Sequence, residues 1–113
     1  MRIISWNVNG IRAIHKKGLF APFIKKWQPD IICLQETRAE RKQSEVDLPD
    51  YEEYWNSAVK KGYSGTAIFT KIKPLAVALG YPEKISKKYD FTNDSYGDPL
   101  GRSQLGEANK EGR

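Results

Sequence analysis

Ile3-Ile4-Ser5-Trp6-Asn7-Val8-Asn9-Gly10 and Asp30-Ile31-Ile32-Cys33-Leu34-Gln35-Glu36 decide how this chain is read. Ile3, Ile4, Trp6 and Val8 form a short β-type run, expected to end as a strand at Asn7 and to pass into a turn at Asn7–Gly10. The second stretch is continuously apolar from Ile31 to Leu34, the pattern of a strand buried on both faces, as parallel strands are. Between them Leu19, Phe20, Phe23, Ile24 and Trp27 recur at helical spacing. Pro22 belongs in the first turn of that helix, and Gln28-Pro29 ends it. Strand, helix and strand within about 35 residues is one βαβ unit.

Working outward, Thr37-Arg38-Ala39-Glu40 matches the S/T-x-x-E capping box, so a short helix is expected from Thr37, broken at Leu48-Pro49-Asp50. Tyr51–Ser57 reads as an aromatic strand, Lys60–Gly65 as a turn-rich loop and Thr66–Thr70 as another strand. Pro74–Leu79 is expected to be a further strand. The order predicts an α/β layered sandwich with a mixed sheet. From Gly80 onward only eight of 34 residues are apolar. No element is assigned there, and residues 81–109 are expected to be a long loop or disordered segment.

The chain has 113 residues and 39% apolar composition, which allows one small domain. No apolar run approaches the roughly 18 residues of a membrane span. A single cysteine, Cys33, excludes an internal disulfide, and no Cys/His cluster has zinc spacing. With no secretory signal pattern at the N-terminus, a cytoplasmic location is expected, or the nucleus in a eukaryote. The net charge of +5 is unevenly spread. Residues 1–29 hold six basic and no acidic residues, residues 30–59 three and eight, residues 60–113 ten and six. A basic excess suits a polyanionic partner but is common in domains that bind none.

If the two opening strands are parallel neighbours, Asn7 and Glu36 lie side by side in the crevice where open α/β sheets bind ligands. Both offer hard oxygen donors of the type Mg²⁺ takes while sharing a substrate phosphate. On pattern alone the simpler reading is that Asn7 forms a turn and Glu36 is solvated. Trp6, Trp27, Phe23 and Cys33 are expected in the core. His15, the only histidine, is expected exposed between the first strand and its helix.

Three stretches together are more specific. Ile4-Ser5-Trp6-Asn7-Val8-Asn9-Gly10-Ile11-Arg12-Ala13 resembles the opening motif of the exonuclease III family of apurinic/apyrimidinic (AP) endonucleases. Pro29–Arg38, containing Leu34-Gln35-Glu36-Thr37, is similar to that family's second motif, and Gly62–Lys71 to its third. Lys110-Glu111-Gly112-Arg113 resembles the start of its next strand. The resemblance implies that the chain is the N-terminal part of a four-layer αββα sandwich, the endonuclease/exonuclease/phosphatase fold. It implies Mg²⁺-dependent (or Mn²⁺-dependent) hydrolysis of DNA phosphodiesters at abasic sites and from 3′ ends. Asn7 and Glu36 match the family's catalytic and metal-site asparagine and glutamate. Asn9, Gly10, Arg12, Ala13, Tyr63, Ser64 and Gly65 fall on its DNA-contacting loops, where Arg12, Lys60 and Lys61 would position phosphates. The expected partner is double-stranded DNA with abasic sites or 3′ ends, and a monomer is expected where the full-length domain is present. The family's catalytic Tyr, its GDFN-type motif and its Asp-His pair have no counterpart in these 113 residues, so the chain alone is expected to be inactive. Two alternatives stay open: a non-catalytic nucleic-acid- or partner-binding half-domain, and a phosphatase of the same superfamily.

Overall fold

A computed structural model of the chain describes residues 1–80. The expectations for residues 81–109 and 110–113 lie outside the described residues. Four strands form one sheet: β1 (Ile3–Asn7), β2 (Ile31–Gln35), β3 (Glu52–Asn56) and β4 (Thr66–Thr70). Two helices, α1 (Ile11–Lys16) and α2 (Phe20–Trp27), connect β1 to β2. The strand order is β1-β2-β4-β3. β1 and β2 are parallel with Asn7 opposite Gln35, and β4 is antiparallel to both β2 and β3. The sheet is mixed, as expected.

Alternation along each strand decides which face is buried. Ile32 and Leu34 of β2, with Ala67 and Phe69 of β4, are buried. They meet Ile11 of α1 and Phe20 and Ile24 of α2 in one core. Phe20 is its centre, stacked on Trp6 with ring centroids 5.8 Å apart and meeting Phe69 edge-on at 6.0 Å. The opposite face carries Ile3 and Ile68, both exposed. β2 is therefore buried on one face only among the described residues: Ile31 and Cys33, which alternate with its buried residues, are half-buried. An unbroken apolar run cannot reveal which face is covered.

Local chemistry explains the ends of α2. Pro22 sits in its first turn, where a missing N–H costs nothing. Gln28 adopts a left-handed conformation (φ 45°) as the cap, its N–H donating to the Ile24 carbonyl at 2.8 Å, and the buried Pro29 follows. Trp27, at the last helical position, is 42% exposed rather than in the core. Trp6 and Phe23 are half-buried against the core expected to enclose them, whereas Cys33 is half-buried on the opposite face of the sheet, paired with the exposed Ile68.

Three further expectations fail. No helix starts at Thr37: Arg38 has φ 52°, a left-handed conformation incompatible with the first turn of a right-handed helix. Thr37 is instead buried against the sheet end. The capping box lies three residues later, where Glu40 and Gln43 bracket a single 3₁₀ turn, Arg41–Gln43. Pro74–Leu79 forms no strand, and Leu75, Val77 and Leu79 are exposed; Pro74 has no N–H to give a ladder. His15 belongs to α1, a helix not anticipated from the sequence, and is half-buried with Nδ1 lacking a hydrogen-bond partner among the described residues.

Candidate functional site at the ends of the parallel strands

Parallel pairing carries Asn7 and Glu36 to the same edge of the sheet. The ladder continues past the last paired residues: Val8 N–H donates to the Gln35 carbonyl at 3.0 Å, Gly10 N–H to that of Glu36 at 2.7 Å, and Ile11 N–H to that of Thr37 at 3.0 Å. A second set ties the β3–β4 loop in, with Thr37 N–H donating to the Gly65 carbonyl at 3.1 Å and Arg38 N–H to that of Ser64 at 2.7 Å. Three loops are thus fastened around one residue, Glu36.

Backbone conformation sets where that residue sits. Asn9, Glu36, Arg38 and Ser64 all have positive φ without being glycine. Such conformations cost about 1–3 kcal/mol each, and they cluster where surrounding structure holds them for a function. Gly65 meets a stricter demand. Its φ is 90°, and a Cβ there would lie 2.6 Å from Thr37 Oγ1. Only glycine lets the β3–β4 loop approach the end of β2 this closely.

The Glu36 carboxylate is held at both oxygens. Oε1 accepts from Asn7 Nδ2 at 3.1 Å, and Oε2 accepts from Arg38 Nη2 at 3.2 Å in an ion pair. Asn7 Oδ1 in turn accepts the Asn9 N–H at 3.1 Å. Both partners fix the amide orientation, because an N–H demands the oxygen and a carboxylate demands the nitrogen. The turn reading and the site reading of Asn7 are therefore one arrangement: an Asx-type turn whose free end aims Glu36. The amide oxygen expected to serve a metal is engaged within that turn. The Glu36 and Arg38 side chains remain 41% and 50% exposed, so their pairing adds little stability and acts mainly as orientation.

Glu36, Arg38, Gly62, Tyr63 and Ser64 line an open cavity of about 270 Å³. Tyr63 is 54% exposed, with Lys60 Nζ 5.1 Å above its ring. Arg12 is anchored at the edge, Nη2 donating to the Arg38 carbonyl at 3.0 Å. Asn9 and Ala13 are exposed on the neighbouring loop and helix, while Gly10 is half-buried at their junction. Gly65 is buried with its carbonyl occupied, so it shapes the loop and presents little surface. His15 opens on a separate pocket with Arg12, Lys16, Gln43 and Glu45.

Arg38 is the site residue that sequence reading passed over as part of a motif. The available signal was a basic residue two places after a carboxylate at a strand end. Among the described residues no group of three or more His, Cys, Asp or Glu could hold a metal ion. The donor set still suits a hard cation. Glu36 is an exposed carboxylate facing an open cavity, and Mg²⁺ is commonly held by one or two carboxylates, with waters and substrate phosphate completing the shell.

Comparison with known proteins places this geometry. The family model described as the endonuclease/exonuclease/phosphatase family matches residues 4–106. The chain is 54% identical over 80 residues to an exodeoxyribonuclease of Bacillus subtilis (strain 168), covering 71% of the chain and 32% of that protein. It is 45% identical over 86 residues to the DNA repair nuclease APEX1 of Danio rerio, covering 71% and 27%. The chain therefore spans about a third or less of the length of these curated relatives. Among solved structures, the APE2 catalytic domain of Xenopus laevis superposes with a TM-score of 0.69 at 32% identity, covering 100% of this chain and 37% of that one. An AP endonuclease from Archaeoglobus fulgidus gives 0.55 at 29% identity, covering 73% and 32%.

Proposed function

This chain belongs to the endonuclease/exonuclease/phosphatase family, and on that footing we propose that it contributes the carboxylate-bearing part of a DNA repair nuclease, one that hydrolyses phosphodiesters at abasic sites and from 3′ ends. One observation carries the reading. Glu36 stands at the open end of the parallel pair, gripped by Asn7 and Arg38, and faces a cavity walled by the Tyr63 loop. The names of the relatives, an exodeoxyribonuclease and a DNA repair nuclease, supply the substrate class.

Each residue then has a task. Glu36 would hold Mg²⁺ or Mn²⁺, and Asn7 keeps its carboxylate turned to the cavity. A divalent ion bound there supplies polarisation of the phosphoryl oxygen and stabilisation of the leaving oxygen. Arg38, Arg12 and Lys60 are the cations nearest an incoming phosphodiester. They position it without reading sequence. Tyr63, exposed beside Ser64, packs on a sugar or base. Asn9, Gly10 and Ala13 present the β1–α1 loop to the duplex. Conformationally, Asn9 and Gly10 act by holding the turn that buttresses Asn7.

The test is equilibrium binding of a fluorescent duplex carrying one abasic site, with Mg²⁺ and with chelator. Mg²⁺ is expected to tighten binding by the native chain and to have no effect on Glu36→Gln. An identical Mg²⁺ response in both proteins would remove Glu36 from the metal site.

A further inference from the structure

A second concave surface lies at the other end of the sheet. Ala21, Ile24 and Lys25 of α2 face Leu48, Pro49, Asp50 and Tyr51 across a groove of about 270 Å³, with Gln28 at its end. Lys71 reaches the rim: its Nζ sits 5.4 Å above the Tyr51 ring and donates to Gln28 Oε1 at 2.8 Å. The floor is apolar, one wall is an aromatic ring, and lysine ammonium groups stand on two sides.

The corner beside it repeats the combination. Trp27 is 42% exposed, with Lys26 Nζ 5.2 Å and Arg2 Cζ 5.8 Å from its ring. None of Arg2, Lys25, Lys26 or Lys71 joins an ion pair among the described residues. Two acids are close: Asp30, which accepts from Arg2 N–H at 2.7 Å, and Asp50 in the groove wall. Glu52, which follows Tyr51 and pairs with Thr70 beside Lys71, adds a third carboxylate, so four cations stand against three acids and the corner stays positive.

We infer that this groove binds single-stranded nucleic acid, a base resting on the apolar floor beside Tyr51 while Lys25 and Lys71 take the flanking phosphates. Alternating cations and aromatic faces are what a single strand requires: backbone neutralisation plus stacking that tolerates any base. A duplex hides its base faces and has no use for the ring or the floor. Gln28–Pro29–Asp30 precedes β2 and Glu36 follows it, so the groove lies roughly 17 Å from the Glu36 carboxylate along five extended residues. It is separate from the cavity described above and needs no divalent ion.

The experiment is fluorescence anisotropy of labelled oligo(dT) with the full 113-residue chain in the presence of chelator. Binding by the native chain is expected to be the same with chelator as with Mg²⁺, which separates this site from the Glu36 reading. Lys25→Gln/Lys71→Gln is expected to bind about tenfold more weakly. Its salt dependence should be shallower by about 1.4 in log–log slope, two single-strand contacts at about 0.7 each. Both lysines are exposed; if the double variant fails to fold by circular dichroism, Lys25→Gln alone should show half of that slope change. Absence of saturable binding by the native chain, or unchanged affinity and slope in the folded variants, overturns the inference. So does preferential capture by vesicles rich in anionic lipid, which would assign the same lysines and Trp27 to a membrane surface.

Discussion

At the scale of single residues, the site depends on backbone conformations that ordinary side chains avoid. Gly65 is the clearest case, because two independent penalties fall on any replacement. Its φ of 90° is unfavourable for an L-residue, and a Cβ would stand 2.6 Å from Thr37 Oγ1. Thr37 is fully buried and cannot retreat. Gly65→Ala should therefore destabilise the chain by about 2–4 kcal/mol, combining left-handed strain with overpacking. Urea titration followed by tryptophan fluorescence measures it. A midpoint equal to that of the native chain would show that the loop does not hold its close approach. Glu36 and Arg38, two of the other left-handed positions, had no such signature in the sequence. Both are ordinary polar residues after a strand, and only the three-loop hydrogen-bond pattern shows why they turn left-handed.

At the scale of elements, long and strongly patterned segments were legible. β1, β2, β4 and α2 lie where apolar periodicity puts them, and the parallel pairing that joins Asn7 to Glu36 follows from a strand–helix–strand unit. Short or punctuated segments were not. α1 is six residues long without an apolar stripe, and its only fully buried residue is Ile11. The Thr37 capping box failed because capping needs a right-handed successor, and Arg38 is left-handed with φ 52°. Pro74–Leu79 has strand-like composition but no hydrogen-bonded partner strand among the described residues. Tyr51, just before β3, ties that strand to the start of β2 by donating its hydroxyl proton to the Pro29 carbonyl. Burial is the main reason its phenol pKa is raised above 10, with Asp30 and Asp50 adding to the shift. A raised phenol pKa means that the folded state holds its proton longer than the unfolded state. Its contribution is thus complete below about pH 10 and is lost as pH climbs from the unfolded value through the folded one. Stability should be flat through neutrality in this respect and fall above about pH 10, with a shallower fall in Tyr51→Phe. Equal alkaline slopes in thermal melts of the two proteins would place the loss elsewhere.

At the scale of the whole molecule, the described residues form one sheet with a helical layer over one face and a carboxylate site at one edge. The family resemblance in three stretches was readable because those stretches are the two opening strand ends and the loop that folds back on them. They are adjacent in space although far apart in sequence. What the stretches could not show was how Glu36 is held, since the Asn7 orientation and the Arg38 contact exist only once the strands pair. Among the described residues one carboxylate, Glu36, lines the cavity. We propose on this basis that the 113-residue chain alone does not turn over substrate. In a gel assay with an abasic duplex and Mg²⁺, nicking should stay at the level of the metal-only blank. Robust Mg²⁺-dependent nicking that disappears in Glu36→Ala would show that these residues suffice for catalysis.

Whether Glu36 is the carboxylate of a divalent-metal phosphodiester site can be measured as Mn²⁺ binding, followed as loss of the free-ion electron paramagnetic resonance signal in the presence of abasic duplex DNA. The native chain with DNA is expected to remove Mn²⁺ from solution beyond what DNA alone removes, and Glu36→Gln is not. Equal Mn²⁺ uptake by the two proteins would contradict that role for Glu36.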